Sequence, residues 1–341
     1  MDVRIAAIPR SGPKVATTRP EFPLAGSAAV WFDEVILHHP NGGIETCAGS
    51  DLSEEQITRI STTRPDICGC RLDRPNVMGI VNVTPDSFSD GGDRLNVAAA
   101  VRAAQSMTGA DILDIGGEST RPGADYVPDA EEIRRVVPVI KAIREAGITT
   151  PISIDTRKAS VAAASLEAGA DLVNDISAGH FDAAMFSLVA EKSVPVCLMH
   201  SPPDPKTMQN DPHYDDVCRE VYDALEERIE AALASGIPRE NIIADPGIGF
   251  GKTLEHNLDL LGGFSLFHSL GVPLLLGASR KRFIGTIGHA EAAKDRMPGS
   301  VAVGLHGALH GAHILRVHDV AETRQALDIW NALALNGKNF K

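Results

Sequence analysis

Val77-Met78-Gly79-Ile80-Val81-Asn82-Val83 runs straight into Thr84-Pro85-Asp86-Ser87-Phe88-Ser89-Asp90-Gly91-Gly92. An apolar run broken only by Asn82 reads as a buried strand, and the polar, Gly-rich tail reads as the loop that ends it. A helical stretch follows. The same succession recurs down the chain, which predicts strands at Val77–Val83, Ile112–Gly116, Ile152–Asp155, Leu172–Asp175, Val194–Met199, Asn241–Ala244, Val272–Gly277 and Ile314–Val317. Helices are expected between them at Ala98–Met107, Glu131–Glu145, Ala159–Glu167, Ala183–Glu191, Asp216–Ala234, Leu254–Ser269 and Val301–His310, with Ala321–Leu333 closing the chain. The fifth carries the clearest stripe, with Val217, Val221, Leu225, Ile229 and Leu233 four residues apart. Strand–helix alternation at this spacing implies parallel strands joined by right-handed crossovers. Eight units favour an α/β fold of the TIM (β/α)8 barrel type over an open doubly wound sheet. The absence of GxGxxG after the first strand weakens a dinucleotide-binding alternative.

The chain has 341 residues, room for one such barrel over 75–341 and an N-terminal extension over 1–74. Its first 25 residues, rich in Pro, Arg, Ser and Thr, read as loosely structured. Ala28–His39 reads as a strand or hairpin arm, and Ser53-Glu54-Glu55-Gln56 as a capping box opening a short helix, Glu54–Ser61. A formal net charge of −13 argues against nucleic acid or an anionic membrane as partner. The N-terminus shows no apolar core of signal-peptide length and no segment has the length of a transmembrane helix, so a cytoplasmic protein is expected. Of the five cysteines only Cys68 and Cys70 are close, and CxC spacing suits neither a redox pair nor zinc.

A barrel of this kind carries its chemistry at the C-terminal ends of its strands. There the chain places Asn82; Glu118, Thr120 and Arg121; Asp155; Asn174 and Asp175; His200; Asp245; Ser279, Arg280 and Lys281; and Arg316, His318 and Asp319. Any one of these is explained as a helix cap. Their recurrence in one register is not. The ring divides in two. Arg121, Lys281, Arg316 and His318 are mostly cationic donors, and their convergence on an acidic chain suggests a phosphate or pyrophosphate site, with Thr120 and Asn82 adding neutral groups. The carbonyl oxygen of Asn82 suits a single protein ligand for Mg²⁺, which completes its shell with water and substrate phosphate. Asp155, Asn174 and Asp245 can read a heterocycle that presents several N–H donors. With no HxH or HExxH in the chain, a histidine-based metal centre is disfavoured. The Gly-rich loops Ser87–Gly92 and Ser119–Gly123 are candidate lids.

Asn82–Gly92, Asp114–Gly123, Ser153–Thr156, Asn174–Ile176, Asp245–Gly247, Ser279–Lys281 and Arg316–Val320 together resemble the signature series of the dihydropteroate synthases, in order, over about residues 75–335. The resemblance implies a TIM barrel that joins 6-hydroxymethyl-7,8-dihydropterin diphosphate to 4-aminobenzoate with Mg²⁺. Carried over by position, Asn82 contacts the metal or the diphosphate, and Thr120, Arg121, Arg316 and His318 hold the diphosphate. Asp155, Asn174, Asp245 and Lys281 hold the pterin. Phe88, Pro122 and Ser279 border the aminobenzoate. Asp155, Lys281 and Arg121 are the catalytic candidates. Relatives of this kind commonly form homodimers through the outer helices. The chain departs from many relatives after the fifth strand, reading Met199-His200-Ser201-Pro202-Pro203-Asp204. Two other readings are a corrinoid-linked pterin methyltransferase, which would not need the cluster Arg121, Arg316 and His318, and a non-catalytic pterin-binding paralogue.

Overall fold

The computed structural model describes residues 3–12, 19–83, 93–119, 126–202 and 212–335. Eight parallel strands make the barrel: β1 (Asn76–Asn82), β2 (Ile112–Gly116), β3 (Ile152–Asp155), β4 (Leu172–Asp175), β5 (Val196–Met199), β6 (Ile242–Asp245), β7 (Leu275–Leu276) and β8 (Ile314–Val317). They pair in the order β6-β5-β4-β3-β2-β1-β8-β7, and a parallel bridge between Ala244 and Leu274 joins the two ends. Outside lie the helices α1 (Asp93–Ser106), α2 (Asp129–Glu145), α3 (Ala159–Ala168), α4 (Met185–Lys192), α5 (Val217–Ala234), α6 (Leu254–Gly262), α7 (Arg282–Gly288), α8 (Met297–Leu309) and α9 (Val320–Ala334).

Because successive side chains of a strand point to opposite faces, each barrel strand has a helix-facing and an interior-facing set. Val77, Val81, Leu113, Ile115, Ile152, Ile154 and Val173 pack outward in the large core shared with the helices. Met78, Ile112, Leu172, Cys197, Ile243, Leu275 and Ile314 point inward and fill the N-terminal end of the barrel. Two residues on from several of these the interior changes character: Ile112 gives way to Asp114, Leu172 to Asn174, Ile243 to Asp245 and Ile314 to Arg316. The barrel thus has an apolar floor and a charged upper layer. Register places the upper layer laterally, since Asn82 pairs with Gly116, Gly116 with Asp155 and Asp155 with Asn174.

The boundaries differ from the sequence expectation where proline and glycine intervene. β5 starts at Val196, after Pro195, and β7 shrinks to two residues behind Pro273, which has no N–H to give. The helix expected over 254–269 stops at Gly262 and continues as a buried 3₁₀ segment, Phe264–Leu270. The short helix α7 was not expected.

The described part of the first 25 residues is more ordered than its composition suggested, and a strand forms within the expected Ala28–His39 arm. Arg4–Ala7, Glu34–His38 and Ile44–Ala48 form one antiparallel sheet; Arg10–Ser11, Val30–Phe32 and Phe22–Pro23 form another. Arg4–Ala7 is buried against Phe264–Leu270, where Ser269 Oγ accepts from Ile5 N at 3.0 Å and donates to Ile5 O at 2.8 Å. The helix Glu54–Ser61 forms with the expected capping box, Ser53 with Gln56. Ile67 and Leu72, both buried, press into the barrel floor and plug it from below. Cys68 and Cys70 flank that plug, and burial pushes the Cys68 thiol up to about 12, away from thiolate chemistry.

Candidate active site

The upper layer of the barrel encloses a small cavity lined by Asp155, Asn174, Ile176, Met199, Asp245, Phe250, Gly277, Lys281 and Arg316. Five of the residues singled out from the sequence therefore converge on one place. β3, β4, β6 and β8 each contribute an inward residue, and Lys281 comes from the turn after β7.

Arg316 organises the cavity floor. Its Nε donates to Asp114 Oδ2 at 2.6 Å and one Nη donates to Asp155 Oδ2 at 2.6 Å. Asp114 is fully buried and Asp155 nearly so. Asn174 Nδ2 approaches the Asp114 carboxylate at 3.4 Å. Asp245 Oδ1 accepts from Gly247 N at 2.8 Å, which fixes the plane of that carboxylate. Lys281 Nζ donates to Ile248 O at 2.6 Å and lies 3.7 Å from the centre of the Phe250 ring. One atom is left over: Asp155 Oδ1 is buried with no hydrogen-bond partner among the described residues. A buried carboxylate oxygen without a donor is costly, and a ligand carrying N–H groups would supply one.

The electrostatics fit a site completed by its ligand. Burial pushes the Asp155 carboxyl up to about 7 against the pull of Arg316. Burial also raises Asp245, opposed by the Gly247 N–H and by Lys281. The Lys281 ammonium is drawn down to about 7 by burial, with Asp245 resisting. Burial acts against the Arg316 charge too, but Asp114 and Asp155 outweigh it and hold the guanidinium protonated. An acid and a base held near neutrality, Asp155 and Lys281, settle their charges when a ligand makes hydrogen bonds to them.

At the rim, the Ser279 hydroxyl and His318 Nδ1 are 3.1 Å apart, and the same hydroxyl accepts from His318 N at 3.2 Å. Asn82 ends β1 beside this layer: a methyl group placed on Gly116 would lie 3.8 Å from Asn82 Oδ1 and 3.7 Å from Asp155 Oδ2. Phe88, Thr120, Arg121 and Pro122, and with them most of both candidate lids, lie outside the described residues.

Other members of the expected ring do structural work. Glu118 binds Lys158 at 3.1 Å, and Lys158 binds the buried Glu132 at 2.5 Å, tying the loop after β2 to α2 and α3. Asp175 faces away from the barrel interior and caps its own turn through Ser177 and Gly179. Asp319 pairs with Arg280 through both carboxylate oxygens. Sequence reasoning passed over Asp114 and Phe250. Asp114 had a legible signal, a carboxylate inside the apolar run Ile112–Gly116 at the same parity as the floor residue Ile112.

A profile of the pterin binding enzymes matches residues 78–318. The dihydropteroate synthase of Escherichia coli K12 is 46% identical over 272 residues, covering 79% of this chain and 95% of that protein. The chain belongs to the dihydropteroate synthase family. Among solved structures, the Xanthomonas albilineans dihydropteroate synthase with 4-aminobenzoic acid superposes with a TM-score of 0.74 at 50% identity, covering 79% of this chain and 97% of that one. The same enzyme in complex with 7,8-dihydropteroate gives 0.69 at 48% identity, covering 76% and 94%. The shares covered mean that these dihydropteroate synthases match nearly their whole length to the barrel, while about a fifth of this chain lies beyond them.

Proposed function

We propose that the cavity is the pterin site and its rim the anion site of a dihydropteroate synthase. The enzyme is a transferase of folate biosynthesis. It condenses 6-hydroxymethyl-7,8-dihydropterin diphosphate with 4-aminobenzoate to give 7,8-dihydropteroate and pyrophosphate. The observation that carries the division of the site is the enclosed acidic layer. Asp155 and Asp245 aim carboxylates into a space walled by Phe250, Met199 and Ile176, which suits a flat heterocycle with N–H donors along its edge. In this reading Asp155, Asn174, Asp245 and Lys281 hold the pterin, Thr120, Arg121 and His318 take the diphosphate, and Arg316, whose Nε and one Nη pair with Asp114 and Asp155, joins them from the cavity floor with its other Nη. Phe88, Pro122 and Ser279 border the aminobenzoate.

The donor set at the end of β1 fits Mg²⁺. The Asn82 amide stands beside Asp155, and no cluster of three His, Cys, Asp or Glu side chains that would build an all-protein metal cage occurs among the described residues. The Asn82 amide would hold the ion, which would supply charge neutralisation to the diphosphate. The chain's own residues supply the rest. The C–O bond to the diphosphate breaks and its electron pair leaves with pyrophosphate, stabilised by Arg121, Arg316 and His318. The pterin-methyl centre then carries positive charge, and Asp155, already balanced against a single arginine, lies where a negative charge stabilises it. Lys281, held against Phe250, positions the ring. The 4-aminobenzoate nitrogen forms the new C–N bond and gives up a proton to solvent; no nucleophilic side chain is needed.

We infer a homodimer and a cytoplasmic location. Ile329 and Leu333, four residues apart on α9, are 58% and 71% exposed, an apolar stripe that suits a second copy. No described helix is long and apolar enough to cross a membrane.

The test is turnover with the pterin diphosphate and 4-aminobenzoate, followed by Asp245→Asn. Exchanging the carboxylate for an amide sets N–H against N–H and removes a charge-assisted bond of about 1.5–3 kcal/mol. Calorimetry should show bare pterin binding about ten- to a hundredfold weaker. Unchanged affinity would move the pterin elsewhere, and pterin binding without turnover would make the protein a non-catalytic paralogue.

A further inference from the structure

Lys252 does not line the cavity, yet it is 4% exposed, and among the described residues no carboxylate comes within hydrogen-bonding distance of its ammonium. A buried ammonium that makes no direct ion pair is expensive: burial draws it down to about 7, with the Asp245 charge resisting through space. Its Nζ meets His200 Nδ1 at 3.0 Å and donates to the carbonyl oxygen of Phe250 at 3.0 Å. His200 follows β5 and Phe250 belongs to the loop after β6, so one side chain ties two loops together. The loops are pressed close where they meet: a methyl group on Gly247, whose φ is +69°, would stand 1.9 Å from His200 O.

The tied loop forms a wall of the cavity. Phe250 presents its ring to Lys281 Nζ, and Ile248 O accepts from that same ammonium. Gly249, at φ +81°, lets the Lys281 stem pass, since a Cβ there would lie 2.6 Å from Lys281 Cδ. The loop is anchored on its far side as well, by Gly249 N donating to Asn257 Oδ1. Lys252 is therefore the fastener on one side of the segment that cradles Lys281.

We propose that Lys252 is a positioning residue for the pterin site: by gripping the Phe250 carbonyl and the His200 ring together, it fixes the wall that holds Phe250 and Lys281 against the pterin. The inference rests on the reading of this cavity as the pterin site. It has a spectroscopic corollary. In its charged form the lysine only donates, so His200 Nδ1 is then the acceptor and the imidazole proton sits on Nε2. Burial and the Lys252 charge both disfavour the imidazolium, which is drawn down to about 3.

The experiment compares wild type, Lys252→Met, Lys252→Arg and His200→Leu in the full chain. Calorimetry with 6-hydroxymethyl-7,8-dihydropterin should show Lys252→Met binding roughly tenfold more weakly, as for the loss of one charge-assisted hydrogen bond. KM for the pterin diphosphate should rise by a similar factor with a smaller change in kcat. Lys252→Arg should recover part of the loss, and Lys252→Met should add nothing in a Phe250→Ala background. Nitrogen-15 spectra should report the Nε2–H tautomer of His200 in wild type and a mixture in Lys252→Met. If Lys252→Met does not fold, His200→Leu carries the test and should weaken pterin binding in the same direction. A lowered melting temperature with unchanged pterin affinity would overturn the proposal, leaving a purely structural lysine. Asp245→Asn separates the two levels: if it leaves pterin affinity intact the site reading fails, and if it weakens binding while Lys252→Met does not, only the role of Lys252 fails.

Discussion

Replacing Arg316 with methionine removes the one guanidinium that joins Asp114 to Asp155 and leaves both carboxylates facing a hydrophobic side chain. Both contacts are 2.6 Å, and the two acids are 0% and 7% exposed. Breaking a buried pair by deleting one partner costs about 3–5 kcal/mol. Because the arginine side chain is 21% exposed, the lower end, about 3 kcal/mol, is expected. That cost belongs to the charged form of the acids, so it depends on pH. Burial already holds the Asp155 carboxyl up at about 7. Without Arg316, the main influence that lowers it, the value climbs further. A carboxyl whose folded value lies above its unfolded one contributes stability that is complete below the unfolded value and is lost as pH rises through the folded one, at up to about 1.4 kcal/mol per pH unit for one proton. The variant should therefore lie closer to wild type near pH 5, where Asp155 carries its proton, and show a larger deficit near pH 8. Chemical denaturation followed at both pH values measures it, and bare pterin binding at pH 8 should weaken along with stability. The same deficit at both pH values would refute the argument, because the missing guanidinium would then be acting through packing and not through charge.

His318→Ala should weaken binding of the pterin diphosphate while leaving the bare pterin little affected, since His318 sits at the rim with Ser279 and not in the enclosed layer; calorimetry with both ligands decides it, and equal losses would dissolve the two-part site. Excess chelator should slow turnover and be reversed by Mg²⁺, whereas full activity in chelator would remove the ion from the reaction. Ile67→Ala should destabilise the fold by about 2–5 kcal/mol, as for other large-to-small changes at a fully buried position. A thermal melt measures this, and an unchanged midpoint would mean that the plug beneath the barrel contributes nothing.

The repeating apolar strand followed by polar residues was enough to place all eight barrel strands and most helices, because a buried parallel strand needs a continuous apolar run and its loop needs turn-forming residues. Five of the residues read from strand ends, Asp155, Asn174, Asp245, Lys281 and Arg316, do meet in one cavity. Their partners could not be read from spacing. Arg316 appeared among the anion-binding cations, and the fold sets it between Asp114 and Asp155, 202 and 161 positions away in the chain. Glu118, Asp175 and Asp319 carry the same charge and the same strand-end position as the site acids, but Lys158, a capped turn and Arg280 claim them. The first 25 residues looked irregular because the strands they hold are only two to four residues long and too short to show a period; pairing of Arg4–Ala7 with Glu34–His38, inside the expected Ala28–His39 arm, makes the first of them visible. By itself, then, the sequence determined the architecture, the face of the barrel that carries the chemistry and the residue types gathered there, because these depend on local periodicity. Which charges neutralise one another, which oxygen of Asp155 is left without a partner and which loop Lys252 ties to its own were decided only by the closed barrel, because hydrogen bonds and ion pairs form at about 3 Å between atoms far apart in the chain, 52 residues for Lys252 and His200 and 202 for Arg316 and Asp114.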